Sequence, residues 1–280
     1  MGLIIGVDGG GSGCRVVVAD TGGAVLARAE GGPANIATDP EGALRSILDC
    51  CEGAVRQAAG ASALDEMRHA RAGLGIAGAN ARGAADRLAA ALPFARCRVE
   101  TDAMTTARGA LGPEDGILAA IGTGSVFVRQ QGGQLRQFGG WGIVLGDEGS
   151  GARLGRSALR RALMAAEGFV PMTGYLAALI DRFGGPEGVI AFSLAARPAD
   201  FAPLAPEITA SDDPACRAIW VESVSDIDET LSSLGCGAEL PVTFAGGLGA
   251  VYAAALPQIP QRPARGTSLD GALILARGLA

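Results

Sequence analysis

A glycine-rich segment near the start of the chain has the residue types that bind a phosphate group. After the apolar run at residues 3–7 come, in order, Asp8, Gly9, Gly10, Gly11 and Ser12. Glycine lets backbone N–H groups converge on an anion because no Cβ stands in the way, and Ser12 adds a hydroxyl donor. Asp8, at the end of the apolar run, is well placed to hold the water shell of a metal ion. A single loop of this kind would also suit an ordinary hairpin turn.

Apolar runs on both sides of these glycines predict strands. Residues 3–7 and 15–19 are short, mostly β-branched segments, which is the pattern of buried strands. A P-loop or a dinucleotide-binding fingerprint would place a helix after its glycines. The sequence therefore predicts a strand, a glycine turn and a second strand.

The same arrangement occurs a second time, about one small domain later. The apolar run 117–121 is followed by another apolar run at 126–128, and between them lie Gly122, Thr123, Gly124 and Ser125. In both copies a third strand pattern and a glycine pair follow. The repeat predicts a duplicated fold in which two hairpins face the phosphates of one nucleotide triphosphate, in a cleft between two domains.

Two further segments place candidate residues at strand ends. Asp102 follows the predicted strand 96–100, and Gly246 and Gly247 follow the predicted strand 241–245 and precede a helix. A glycine turn at a helix start suits close approach of the backbone to a base or a ribose.

Composition excludes several classes of function. The chain has 280 residues, of which 49% are hydrophobic. Its net charge of −6 argues against nucleic acid or an anionic membrane as a partner. All 23 basic residues are arginine, so no lysine can serve as a Walker residue, a Schiff base or a general base. The one histidine, His69, lies in a polar stretch. The six cysteines show no CxxC spacing and predict buried free thiols. With no signal peptide or spanning segment in the sequence, we expect a cytoplasmic protein.

Together these segments resemble the BadF/BadG/BcrA/BcrD-type ATPase family, in the branch of N-acetylglucosamine kinases and glucosamine kinases, within the sugar kinase and actin superfamily. The resemblance covers nearly the whole chain and is weak from about residue 165 to 240. It implies an α/β fold of two ribonuclease-H-like (actin-like ATPase) domains with a nucleotide cleft between them. The first would be residues 1–113 with the C-terminal helix at 267–280, and the second residues 114–266 with a helical insert. It also implies ATP and Mg²⁺ as cofactors and a homodimer.

The resemblance also implies a role for each candidate residue. Asp8 would lie near the magnesium ion, and Asp102 would be the catalytic base and a sugar ligand. The phosphate motifs would be Gly9, Gly10, Gly11 and Ser12, and Gly122, Thr123, Gly124 and Ser125; the adenosine motif would be Gly246 and Gly247. The sugar would be held, besides Asp102, by Asn35, Gly140, Trp141, Asp147 and Glu148.

Other interpretations of the site residues stay open at this point. Asp102 could be a helix N-cap, Asn35 a left-handed turn residue and Trp141 a core residue. Asp147 and Glu148 could form a solvated loop edge.

The expected activity is phosphorylation of the 6-hydroxyl of N-acetylglucosamine, with glucosamine as the alternative acceptor. A third candidate is an ATPase activator that carries an iron–sulfur cluster, but Cys50 and Cys51 are the only close cysteine pair. Adjacent helical residues point about 100° apart, which does not favour that candidate. A sugar-sensing repressor would need a DNA-binding segment that the sequence does not show.

Overall fold

The computed structural model describes residues 2–279, and the chain divides into two compact units. Unit 1 comprises Met1–Asp115, Gln130–Arg136 and Pro263–Ala280; unit 2 comprises Gly116–Arg129 and Gln137–Arg262. Over the described residues, none of the helices combines the length and the apolar character needed to cross a membrane.

Unit 1 is built on a five-stranded sheet. Its strands are β1 (Leu3–Gly9), β2 (Cys14–Asp20), β3 (Val25–Gly31), β4 (Arg71–Ile76) and β5 (Arg96–Glu100), in the order β3-β2-β1-β4-β5. The first three strands form an antiparallel meander, whereas β4 and β5 run parallel to β1. The carboxyl ends of β1, β4 and β5 therefore lie at one edge of the sheet, where ligands bind in open α/β sheets.

Helices cover both faces of this sheet. They are α1 (Pro40–Ala59), α2 (Ala63–His69), α3 (Ala84–Ala91), α4 (Asp102–Leu111) and, at the C-terminus, α12 (Ser268–Arg277). Helix α1 has Asp39 as its N-cap, and Pro40 lies in its first turn. The Asp39 carboxylate accepts a hydrogen bond from Gly42 N–H at 2.9 Å. On one face, α12 packs Leu269, Leu273 and Ala276 against Ile4, Val17 and Ala19 of the sheet.

The helices α4 and α12 cross at two glycines. A Cβ on Gly271 of α12 would lie 1.8 Å from the carbonyl oxygen of Thr105, and a Cβ on Gly109 of α4 would lie 1.9 Å from that of Thr267. Only glycine permits backbones this close. The crossing fixes the position of α4, and α4 begins at Asp102.

The second sheet has four strands, and most of its residues belong to unit 2. Its strands are β6 (Gly116–Ile121), β7 (Ser125–Gln131), β8 (Gln134–Gly139) and β9 (Val242–Ala245), in the order β8-β7-β6-β9, with β6 and β9 parallel. The helices are α5 (Gly151–Ala166), α6 (Gly174–Arg182), α7 (Pro186–Ala195), α8 (Pro198–Phe201), α9 (Ala205–Ala210), α10 (Pro214–Ser233) and α11 (Gly249–Ala255). One apolar core joins the inner faces of α5, α6 and α10 to the sheet.

The observed elements confirm the predicted α/β class and both strand–glycine–strand hairpins. Helix α4 begins at Asp102 and is capped by Thr101, whose hydroxyl accepts a hydrogen bond from Met104 N–H at 3.3 Å. The interpretation of Asp102 as the cap is therefore wrong.

Candidate active site

The first glycine turn presents open backbone to solvent. Gly10 N–H donates to Gly13 O at 2.8 Å, and Ala34 N–H donates to Gly10 O at 2.8 Å, which anchors the base of the turn. At the tip, Gly11 and Ser12 are exposed, and a Cβ on Gly11 would meet no atom within 4 Å. The turn thus offers N–H groups and one hydroxyl to an incoming anion.

Asp8 forms an ion pair with Arg15 at the base of this turn. The two residues are directly opposed in the β1–β2 register, and Arg15 Nε donates to Asp8 Oδ2 at 3.1 Å. The side chain of Asp8 is 13% exposed and that of Arg15 is 59% exposed. The sequence interpretation missed Arg15, although its position beyond the turn mirrors that of Asp8.

Asp102 lies at the carboxyl edge of the same sheet, after β5. Its Oδ1 accepts a hydrogen bond from Ala103 N–H at 3.0 Å. Partial desolvation by surrounding protein atoms, together with the negative charge of Asp8, raises the pKa of Asp102 above its ordinary value. The residue also contacts solvent, so water screening limits that rise. Asp102 is therefore an accessible carboxylate whose proton affinity is increased, as a general base requires.

Asn35 lies at the same edge, in the loop that follows β3. Ile36 N–H donates to Ala77 O at 3.1 Å, which ties the loop to the end of β4. Asn35 Oδ1 accepts a hydrogen bond from Ala37 N–H at 2.9 Å, so its amide nitrogen is the group left to donate to a ligand. Among the described residues Asn35 has no positive φ, and its interpretation as a left-handed turn residue is wrong.

The carboxylates at this edge have the donor chemistry that Mg²⁺ prefers. Asp8 is close enough to Asp102 to raise its pKa electrostatically, and a divalent cation would relieve that repulsion. Residues 2–279 contain no group of three or more His, Cys, Asp and Glu side chains suited to one ion. A Mg²⁺ ion needs no such cage, because it is held by one or two carboxylates, water and substrate phosphates. Asp8 thus fits a magnesium ion that arrives with a nucleotide.

In unit 2 the second hairpin and the late glycine turn lie side by side. Gly122 N–H donates to Gly124 O at 2.9 Å, and Leu248 N–H donates to Ile121 O at 3.0 Å. Gly246 has φ +83°, and a Cβ there would lie 2.4 Å from Ile121 O. The predicted phosphate and adenosine motifs of this unit, Gly122–Ser125 with Gly246 and Gly247, therefore share one end of the sheet.

Asp147 connects the second hairpin to the glycine-rich loop before α5. The residue is 6% exposed, has φ +64°, and accepts a hydrogen bond from Ser125 N–H at 3.3 Å through Oδ1. Burial, as the main cause, raises the pKa of its carboxyl group. The solvated-edge interpretation is wrong for Asp147. In this structure its carboxylate holds the hairpin and the loop together.

Glu148 and Trp141 lie in the same loop but face solvent more fully. Arg153 Nη1 donates to Glu148 Oε1 at 3.2 Å, and Arg156 Nη1 donates to Ile143 O at 3.1 Å. Trp141 follows Gly140 and is 68% exposed, so its interpretation as a core residue is wrong. The two arginines belong to the first turns of α5. Arg156 holds the first half of the loop through Ile143, and Arg153 holds the second half through Glu148.

Two contacts that the sequence interpretation did not identify hold the carboxyl end of this loop. Ser150 caps α5 by accepting a hydrogen bond from Arg153 N–H at 3.1 Å. The buried Tyr252 donates its O–H to Gly149 O at 2.8 Å and lies 2.6 Å from the Ser223 hydroxyl. These contacts fix the carboxyl end of the loop to α5, α10 and α11.

The cysteine pair lies inside unit 1. Cys50 is 4% exposed and Cys51 fully buried, both in the core between α1 and the sheet. Burial raises the pKa of the Cys51 thiol. Thiolates that hold an iron–sulfur cluster between two subunits have to reach the surface, and this pair does not.

Comparison with known proteins assigns the chain to a family. The model of the BadF/BadG/BcrA/BcrD ATPase family matches residues 5–253. The glucosamine kinase GspK of Vibrio cholerae is 31% identical over 239 residues, which are 84% of this chain and 81% of that protein. An N-acetylmuramic acid/N-acetylglucosamine kinase of Clostridium acetobutylicum is 28% identical over 168 residues, 58% of this chain and 54% of that one.

A solved structure extends the similarity over the full fold. A protein of Chromobacterium violaceum, proposed to be an N-acetylglucosamine kinase, is 35% identical, with a TM-score of 0.85 and 98% of both chains covered. A ROK family glucokinase of Streptomyces griseus, 20% identical with a TM-score of 0.57, shares the fold. These neighbours confirm the predicted actin-like ATPase fold. By its sequence and its fold alike, the chain belongs to the BadF/BadG/BcrA/BcrD ATPase family.

Proposed function

We propose that this chain is an ATP-dependent amino-sugar kinase that phosphorylates the 6-hydroxyl of N-acetylglucosamine. The observation that carries the proposal is the placement of Asp102 at the end of β5. Its carboxylate is accessible and lies near the first phosphate hairpin, where the charge of Asp8 helps to raise its pKa. The family to which the chain belongs and its amino-sugar kinase relatives support the same activity.

The roles of the residues follow from what each can donate or accept. The N–H groups and hydroxyls of Gly9–Ser12 and Gly122–Ser125 bind the phosphates, and Gly246 and Gly247 leave room for the nucleoside. Asp8 holds the magnesium ion, which when bound neutralises charge on the phosphates. Asp102 orients the 6-hydroxyl and accepts its proton as the oxygen attacks the γ-phosphorus, and ADP leaves.

Two features of the loop at residues 140–150 support an acetylated acceptor. Glu148 already pairs with Arg153, and Asp147 is buried against Ser125 N–H. Neither carboxylate is free to neutralise an ammonium group on the sugar. Trp141, by contrast, is 68% exposed, and its ring can pack against an acetyl methyl group. Asn35 and the backbone of Gly140 supply polar contacts to the sugar hydroxyls.

Glucosamine is the second candidate acceptor. It is favoured by the glucosamine kinase of Vibrio cholerae, which aligns with 84% of this chain. For that acceptor, Glu148 would have to exchange Arg153 for the ammonium group of the sugar. The Arg153–Glu148 ion pair would therefore remain intact with N-acetylglucosamine and would break with glucosamine.

We also propose that the active protein is a cytoplasmic homodimer. ATP as the donor places the reaction in the cytoplasm. Unit 2 exposes several large apolar side chains that a second copy would cover, namely Val144, Leu145, Phe169 and Leu194. Light scattering after size-exclusion chromatography tests this proposal, and a monomer at micromolar concentration would refute it.

The function is tested by replacing Asp102 with asparagine. Asp102→Asn keeps the size of the side chain but removes the base, and we expect kcat with N-acetylglucosamine to fall by roughly 10²–10⁴-fold, while binding of ATP is unchanged. Asp49→Asn, at an exposed position of α1, removes the same charge and should keep full activity. Near-normal turnover of Asp102→Asn would overturn the assigned role.

A further inference from the structure

A polar cavity in unit 2 lies outside the site described above. It measures about 370 Å³ and is formed between α5 and α10, with Val144 of the glycine-rich loop at its rim. That volume is within the range of small-molecule sites. None of the residues proposed to bind ATP or the sugar lines it.

The two walls of the cavity carry opposite charges. Arg153, Arg156 and Arg160 lie along α5, where the spacing of three and four residues puts them on one face. Glu222 and Asp226 lie four residues apart on α10 and face the same space. At 1.5 Å per residue the arginines span about 10 Å and the carboxylates about 6 Å along their helices.

These charges are largely unmatched by the protein itself. Within residues 2–279, Arg160 has no hydrogen bond or ion pair, and the guanidinium of Arg156 donates only to a backbone carbonyl. Neither carboxylate of α10 forms an ion pair in the part of the chain that the structure describes. Desolvation, as the main cause, raises the pKa of Asp226; the positive charge of Arg153 opposes this rise, and the negative charge of Glu222 adds to it. A ligand with both signs of charge would satisfy both walls.

We propose that this cavity binds a small zwitterion with one phosphate and one ammonium group, and that glucosamine 6-phosphate has the required chemistry. The phosphate would lie against Arg156 and Arg160, since guanidinium groups suit phosphate oxygens. The ammonium group would lie between Glu222 and Asp226. Binding does not depend on the proposed kinase activity, but its link to the reaction does. Glucosamine 6-phosphate is the direct product from glucosamine, and it forms from the N-acetylglucosamine product by hydrolysis of the amide.

The position of the cavity connects its ligand to the acceptor loop. Arg153 and Arg156 line the cavity and also hold the loop, through Glu148 Oε1 at 3.2 Å and Ile143 O at 3.1 Å. A phosphate bound to Arg156 competes with Ile143 O for this guanidinium group and weakens its hold on the loop. Occupancy of the cavity therefore lowers affinity for the acceptor sugar, and by linkage the sugar weakens the ligand to the same extent.

Isothermal titration calorimetry tests the site directly on the full chain. Glucosamine 6-phosphate is titrated in the presence of a fixed, saturating concentration of acceptor sugar, which blocks the acceptor site. We expect binding to persist, and to weaken at least tenfold in Arg160→Gln and in Asp226→Asn. N-acetylglucosamine 6-phosphate, which lacks the ammonium group, should also bind at least tenfold more weakly. Arg161→Gln removes a charge from the same helix outside the cavity and should change the affinity less than twofold.

The outcomes separate this proposal from the kinase proposal. No binding to the wild-type protein either with or without acceptor overturns the cavity site, as does equal affinity of wild type, Arg160→Gln and Asp226→Asn. Neither result bears on the kinase activity, which has its own assay. Equal affinity for the two sugar phosphates also overturns it. This comparison uses only the wild-type protein, so it holds even if a variant does not fold. Conversely, specific binding by a protein with no sugar kinase activity supports the site and removes only its link to the reaction.

Discussion

The crossing of α4 and α12 gives the sharpest prediction about how the fold positions Asp102. In Gly271→Ala the new Cβ would lie 1.8 Å from Thr105 O and 2.7 Å from Gly109 N. Both neighbours are backbone atoms, so the helices have to separate by about 1.5 Å to restore ordinary contact. Overpacking of this kind costs roughly 1–3 kcal/mol, and we take the upper end because backbone has to move. The higher helix propensity of alanine offsets about 1 kcal/mol.

The expected net loss is therefore about 2 kcal/mol, which corresponds to a fall in Tm of roughly 3–4 °C for a chain of this size. Because α4 begins at Asp102, kcat should fall as well, by up to about 10²-fold for a displacement near 1 Å. Gly53→Ala is the matched control. Gly53 lies within α1, and a Cβ there meets nothing within 4 Å, so that variant should be at least as stable as wild type. Calorimetry and steady-state kinetics measure both effects. If Gly271→Ala matches wild type in Tm and kcat, the crossing does not position Asp102.

Three other perturbations follow from individual contacts. A base acts in its deprotonated form, so kcat/KM should fall as the pH is lowered. Because the pKa of Asp102 is raised, the apparent pKa of this acidic limb should lie above the ordinary Asp value of about 3.9. That limb should be absent in Asp102→Asn, and an unchanged pH profile in this variant would contradict the assignment. Arg153→Gln frees Glu148 and should raise KM for the acceptor by at least about threefold with KM for ATP unchanged; Arg161→Gln should alter neither. Tyr252→Phe leaves Gly149 O without its donor and should cost roughly 1–3 kcal/mol in urea unfolding, whereas an unchanged midpoint would show that the hydroxyl contributes nothing.

The parts of the fold that could be predicted from sequence are those specified by local pattern. Apolar runs that end in glycines define β1, β2, β6 and β7 with the turns between them, and the duplication of this pattern indicates two related units. Asp39 followed by Pro40 marks the start of α1 because cap and first-turn preferences depend only on neighbouring residues.

Features that depend on register or on neighbouring capping residues were not predictable in this way. Arg15 contacts Asp8 because of the pairing of β1 with β2, and the sequence suggests that register only after the turn length is known. Thr101 and Asp102 both have side chains that cap helices, so sequence alone does not decide between them. Thr101 is the N-cap of α4, and the carboxylate of Asp102 is therefore available for chemistry.

Contacts between residues distant in sequence were the hardest to anticipate. Asp147 is adjacent to Glu148 and equally polar, yet it is buried against Ser125, 22 residues away. Tyr252 reaches Gly149 across 103 residues. No periodicity in the sequence marks either contact, because each depends on the tertiary packing of unit 2.

The central claim is that this chain transfers a phosphoryl group to the 6-hydroxyl of an amino sugar. The most direct test incubates the wild-type protein with ATP and Mg²⁺ and with N-acetylglucosamine, glucosamine or glucose in turn, following products by ³¹P NMR and rates by ADP release. We predict a 6-phosphomonoester of N-acetylglucosamine, with kcat/KM at least tenfold above that of glucosamine, which is about 1.4 kcal/mol of differential transition-state binding, and glucose lowest. A tenfold preference for glucosamine would refute the acetyl-binding role of Trp141 and leave the amino-sugar kinase in place. ADP release with no phosphorylated amino sugar would contradict the central claim.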